Sequence, residues 1–130
     1  MDPNDLLATM PFSQSLGMTF LAAAPTEVTA TLDWAEDRTT LGGAMHGGAL
    51  MTLADSCGAV CAFLNLPEGA VGTSTIESKT NLFRGVRAGT ATATTRPLHA
   101  GRTTIAVQTE VRDDDGRLVS LTIQTQAVLS

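Results

Sequence analysis

Two groups of residues in this 130-residue chain carry groups suited to chemistry. The first is Asp55, the lone carboxylate in the apolar run Ala49–Leu66. Aspartate is a poor residue for a helix interior. Among apolar neighbours it either finds hydrogen-bond partners or has its pKa pushed up. Such a carboxylate suits work as a general base on water or as a nucleophile on a carbonyl. The second group is Gly42-Gly43-Ala44-Met45-His46-Gly47-Gly48, directly ahead of that run. Its glycines read as a loop, and a helix starting at its end leaves its first N–H groups without intrahelical partners. The Gly47 N–H, aided by the partial positive charge of a helix start, is a donor for an oxygen that turns negative during a reaction. Glycine also lets a reacting group approach the backbone closely.

The spacing constrains how these groups could cooperate. From His46 a helix of about five turns is predicted, closed by Asn65-Leu66-Pro67, where the proline marks a stop. His46 and Asp55 are then separated by about 13–14 Å of rise and by about 900° of rotation, which sets them on opposite sides. A direct His–Asp pair within one chain is excluded by that geometry. A site using both needs a second chain that sets the helix start of one protomer near Asp55 of the other. Ala49, Leu53, Cys57, Val60 and Leu64 make one apolar stripe, and the opposite face carries Met51, Asp55, Gly58, Ala59 and Ala62. A helix apolar all round is expected to be buried all round.

The other elements follow from periodicity. Asp2–Met10 has helical spacing and is expected to be capped by Asp2 or Asn4; Phe12–Met18 adds another helical turn. Residues 1–17 thus form an N-terminal helical segment of a single domain, 1–130. Thr19–Ala24 and Glu27–Trp34 read as strands, Ala35–Met45 as a loop and Pro67–Ala70 as a connector. Gly72–Phe83, Thr90–Leu98, Thr103–Asp113 and Arg117–Leu129 alternate as half-buried strands do. Ile105, Val107, Thr109 and Val111 share one side of their strand, as do Val119, Leu121, Ile123, Thr125, Ala127 and Leu129 of theirs. His99-Ala100-Gly101 and Asp114-Asp115-Gly116 read as hairpin turns. Strands before and after one helix give an α+β class rather than alternating βαβ units. One helix against one curved sheet leaves a strand edge unpaired and the Asp55 face of the helix unshared, and dimerisation would cover both.

His46-Gly47-Gly48 followed by Ala49-Leu50-Met51-Thr52-Leu53-Ala54-Asp55 resembles the signature of the hotdog-fold acyl-CoA thioesterases, in particular the phenylacetate-pathway (PaaI-like) group. Thr75–Arg84 resembles the family's second strand after the helix, and His99–Thr104 and Asp115–Val119 resemble its later hairpins, so the likeness runs from Met18 onward. The resemblance implies a long central helix wrapped by a curved antiparallel sheet of five to six strands, and a homodimer, commonly doubled to a homotetramer. It implies hydrolysis of an aryl- or medium-chain acyl-CoA at the dimer interface, with the Gly47 N–H as oxyanion donor and the partner chain's Asp55 as base or nucleophile. His46 is expected to shape the loop or touch substrate, beside Gly48. Where close relatives carry Asn or Gln six residues before the histidine, this chain has Thr40. Thr75, or Thr73 in a shifted register, falls near the family's water-positioning Ser/Thr. Arg84, Arg87 and Arg102 follow strand ends where the family often places cations for the phosphates of coenzyme A. Met51, Phe63 and Phe83 are expected near the acyl or aryl group. Coenzyme A is part of the substrate, and no metal or redox cofactor is expected.

Composition narrows the classes. A hydrophobic content of 43% and a net charge of −5 describe a soluble domain, and the acidic balance argues against nucleic acid or an anionic membrane as partner. A membrane span through the helix would set Asp55 near the bilayer centre at a cost of about 2.5–3.5 kcal/mol. Met1–Asp5 lacks a basic stretch and a long apolar segment, and a cytoplasmic location is expected. Cys57 and Cys61, one turn apart, are expected to be buried packing residues rather than metal ligands or a disulfide. Three other readings stand beside the enzyme. One is an acyl-CoA-sensing hotdog domain that binds without turnover, which Thr40 favours and Asp55 opposes. Another is a hotdog hydratase, for which no fitting Asp/His or His/Glu pair is found, and the last is a structural protein with an inert helix.

Overall fold

A computed structural model of the chain describes residues 2–130. The N-terminal segment opens with a 3₁₀ helix, Pro3–Thr9, capped by Asp2, whose carboxylate accepts the Asn4 N–H at 2.9 Å. Asn4, the other candidate cap, instead clips the segment to the sheet, its side chain bonding both the N–H and the carbonyl of Phe20 at 2.9 Å. Helix α1, Pro11–Leu16, follows and ends at Gly17, whose φ of 93° is a left-handed stop that favours glycine. Strands β1, Thr19–Ala24, and β2, Glu27–Asp33, form a hairpin. The expected loop after β2 contains a short 3₁₀ turn, Glu36–Arg38, and an isolated antiparallel bridge between Thr39 and Met45.

Helix α2, Gly47–Leu64, is 18 residues long, five turns, with His46 as its N-cap. Four antiparallel strands complete the chain: β3, Gly72–Leu82; β4, Thr90–Ala100; β5, Thr104–Arg112; and β6, Leu118–Leu129. They join β1 and β2 in one six-stranded sheet of order β1-β2-β4-β5-β6-β3. The turn after β4 falls two residues later than the sequence suggests, β4 running to Ala100 rather than Leu98, with Gly101 N–H donating to the Thr104 carbonyl at 2.9 Å. Although α2 sits between β2 and β3 in the chain, those strands are far apart in the sheet. β3 crosses to the outer edge beside β6, which no local pattern encodes.

The core lies between α2 and the inner faces of β2, β4 and β5. Val28, Ala30, Leu32, Ala91, Ala93, Ile105, Val107 and Val111 alternate inward and are fully or almost fully shielded, as are Leu53, Cys57 and Cys61 of the helix. Burial pushes both thiols up, Cys57 to about 12 and Cys61 to about 11, so both remain neutral packing groups.

Two expectations about α2 and β6 require correction. The helix is not buried all round: Met51, Asp55 and Phe63 are exposed and Ala59 is half-buried, forming an i, i+4 stripe along one side. Gly58 and Ala62, grouped with that face in the sequence, turn inward instead; an atom added at Gly58 would lie 2.5 Å from Gln124 of β6. On β6 the more apolar side is the outer one, with Ile123 and Leu129 exposed, whereas Ser120, Thr122, Gln124 and Gln126 face the helix and are buried.

Candidate active site

The start of α2 is fixed by a bond that its own sequence supplies. His46 has extended backbone, and its Nδ1 accepts the Gly48 N–H at 2.8 Å. The His46 carbonyl meanwhile accepts the N–H groups of Ala49 and Leu50. Gly47 lies between these satisfied donors, and its N–H donates to no group among the described residues. Gly47 borders a groove of about 290 Å³ that is also lined by Met45, Leu50, Leu82, Phe83, Arg84 and Gly85. A Cβ at Gly47 would come within 2.9 Å of Leu82, so the glycine allows β3 to pack closely on the helix start. An unpartnered N–H at a helix start is the feature that an oxyanion needs.

Asp55 lies two turns along the helix in a different groove, of about 560 Å³, beside Phe12, Ser13, Met51, Thr52, Ser56 and Ser78. It is open to solvent on one side in the single chain, yet burial by these neighbours still raises its carboxyl above the ordinary 3.8. The opposing influence is Gln124, whose amide favours the charged form. Gln124 Nε2 stops short of a full hydrogen bond and has no partner among the described residues. Ser13 ties the N-terminal segment to the same turn of α2, its hydroxyl 2.7 Å from that of Ser56. No charged residue other than Asp55 lines the groove among the described residues.

Gly47 and Asp55 are eight residues apart on α2, about 12 Å of rise, and each faces its own groove. Within one chain the two groups therefore sit in separate grooves. The side chains expected between them are distributed unevenly. Thr75 turns inward from β3, and its Oγ1 accepts from Gln126 Nε2 at 2.6 Å. Thr73 lines a third groove, of about 600 Å³, with Leu6, Met10, Val60, Phe63 and Leu64. Met51 borders the Asp55 groove and Phe83 the Gly47 groove. Thr40 sits in the turn before the helix, where its N–H donates to the Ala44 carbonyl at 2.8 Å, and it lines neither of these grooves. Of the three arginines, Arg84 borders the Gly47 groove. Arg87 belongs to a separate acidic groove with Asp113, Asp114 and Asp115. Arg102 is exposed at the β4–β5 turn.

Residues 42–120 match the model of the thioesterase superfamily. The chain belongs to that superfamily. A relative from Escherichia coli named 1,4-dihydroxy-2-naphthoyl-CoA hydrolase is 36% identical over 87 residues, 67% of this chain and 63% of that protein. The matched stretch spans 57% of one curated relative and 86% of another. A variant of a thioesterase from Pseudomonas aeruginosa has a structure that superposes with a TM-score of 0.90 at 30% identity, over 99% of this chain and 94% of that one. A variant of the phenylacetic acid degradation protein PaaI from Thermus thermophilus superposes with a TM-score of 0.83 at 30% identity, over 92% and 97%. The fold of this thioesterase domain is accordingly the hotdog fold, α2 being the helix that the sheet wraps.

Gln124 and Gln126 are the residues near the Asp55 groove that the sequence pattern did not single out. Their signal was present: four polar residues alternate along Leu118–Leu129, and Gly58 interrupts a helix at the point where a side chain from the sheet must approach.

Proposed function

We propose that this domain is an acyl-CoA thioesterase whose complete site forms between two protomers. The observation that carries the reading is the free Gly47 N–H at the start of the same helix that bears Asp55 in an apolar groove. The exposed stripe Met51, Asp55 and Phe63, and the outer edge of β3, are the surfaces a second copy would cover. β3 is the most open strand, exposed from Ser74 to Lys79 on both faces. Pairing two copies across β3 would set the helices side by side and bring one protomer's Asp55 towards its partner's Gly47.

In that arrangement the thioester carbonyl oxygen accepts from the Gly47 N–H, and negative charge developing there is stabilised by the helix start. Asp55 either removes a proton from the attacking water or attacks the carbonyl itself, forming an anhydride that water then opens. Coenzyme A leaves as the thiol, and the acid is the second product. Thr75, fixed by Gln126, is suited to holding the water, Thr73 borders the space for the acyl group, and Arg84 is the cation best placed for a phosphate of coenzyme A. Met10, Phe12, Met51 and Phe63 give the grooves beside Asp55 an apolar lining that suits an aryl or medium-chain acyl group. The name of the E. coli relative, an aromatic acyl-CoA hydrolase, supports the aryl choice.

The test is release of free coenzyme A from arylacetyl-, aroyl- and medium-chain acyl-CoAs by wild type and Asp55→Ala, with the oligomeric state measured alongside. Turnover that disappears in Asp55→Ala while the assembly persists is the expected result. The second reading, a domain that binds acyl-CoA without turning it over, is favoured by Thr40 standing away from both half-sites. Saturable binding with no coenzyme A release by wild type would select it.

A further inference from the structure

Gln124 is 1% exposed on the inner face of β6, opposite Ser78 of β3 and pressed on α2 at Gly58. Its Oε1 accepts from Gln126 Nε2 at 2.6 Å, and that same Nε2 donates to Thr75 Oγ1 at 2.6 Å. An amide whose oxygen is engaged in this way must turn its NH₂ in the other direction. The Gln124 NH₂ has no partner among the described residues, and it is flanked by Gly58, three residues beyond Asp55 on α2, and by Ser78, which lines the same groove as Asp55. Folded proteins leave few buried donors unpaired, because each forfeits its bonds to water. Here the unpaired donor lies next to residues that border the groove of Asp55.

We propose that Gln124 is a positioning residue for Asp55, its NH₂ holding the carboxylate charged and correctly turned, and that Gln126 and Thr75 keep the amide the right way round. The inference rests on the reading of Asp55 as the acting carboxylate. Among the described residues no other charge lines the groove. The groove is lined on the N-terminal segment by Met10, Phe12 and Ser13, on α2 by Met51, Thr52 and Ser56, and on β3 by Ser78. Glu77 and Lys79 pair with Thr125 and Ile123, whose side chains point to the outer face of the sheet.

The consequence is a pH dependence with a definite sign. A base must be ionised, so the acid limb of the kcat/KM profile follows Asp55. Removing a donor to the charged form moves that limb to higher pH. With an arylacetyl-CoA as substrate, Gln124→Met is expected to shift the acid limb up by about one pH unit while KM stays within about twofold. Gln126→Met, which frees the Gln124 amide to turn over, is expected to shift it in the same direction by less. Acid limbs that coincide with wild type in both variants, while Asp55→Asn abolishes turnover, would overturn the role of Gln124 and leave that of Asp55 intact. Turnover that survives Asp55→Asn would remove the basis for both. Should Gln124→Met melt below the assay temperature, the Gln126→Met profile decides in the same sense.

Discussion

β5 and β6 lie side by side under the same helix and turn opposite chemistry towards it. Ile105, Val107 and Val111 of β5 are fully shielded, and Thr109 between them spends its hydroxyl on Thr95, 2.6 Å away. The matching positions of β6 are Ser120, Thr122, Gln124 and Gln126, equally buried and all polar. Apolar burial contributes about 25 cal/mol per Å², whereas a buried amide returns little even when bonded and costs stability when a donor is left over. The β5 row therefore holds the fold, and the β6 row costs stability close to Asp55, the carboxylate proposed to carry the chemistry. One strand's width separates the two functions.

The sharpest way to separate them is to damage each in turn. Asp55→Asn is expected to lower coenzyme A release by about 10²–10⁴-fold without loss of folded protein, measured by a thiol assay beside a thermal melt. Ile105→Ala should do the reverse. It is expected to cost about 2–5 kcal/mol in denaturant titration, while activity per folded molecule stays near wild type. Gly58→Ala breaks the separation, since its Cβ would lie 2.5 Å from Gln124. A stability loss of about 1–3 kcal/mol together with slower turnover is expected from that one methyl group. His46→Ala removes the side chain that accepts the Gly48 N–H and should cost about 1 kcal/mol. The smallest effect has a sign rather than a size. Burial raises the Asp55 carboxyl in the folded chain above 3.8, so the folded state binds the proton more tightly and loses stability as pH rises through that window. Asp55→Asn should therefore melt above wild type near neutral pH, with the gap closing in acid.

How much of this was legible in the chain depends on whether the information is local. The helix start at His46, its end near Asn65, the strand Glu27–Asp33, the inward row of β5 and the odd placement of Asp55 are local patterns, and they are found where the sequence puts them. The inner face of β6 was not readable in the same way. Leu121, Ile123 and Leu129 look like a core row, and only the position of β3 at the sheet edge, together with Gly58 opposite, shows that the polar row is the buried one. Arg84 and Arg87 are three residues apart in the chain yet border different grooves, because Val86 turns inward between them. The helix face with Asp55 was correctly expected to be unshared, since one sheet cannot wrap a helix on every side.

The central claim, that Gly47 of one protomer works with Asp55 of its partner, is tested most directly by mixing two crippled chains. Asp55→Ala removes the carboxylate. Gly47→Pro removes the N–H while suiting a first helical position, because His46 before it already has φ −59° and ψ 133°, as a residue preceding proline requires. Each variant alone is expected to be inactive. Co-expressed in equal amounts, they form mixed dimers with one intact site in two, and about a quarter of wild-type turnover should return. Mixed dimers that form and remain as inactive as either parent would contradict a site shared between chains.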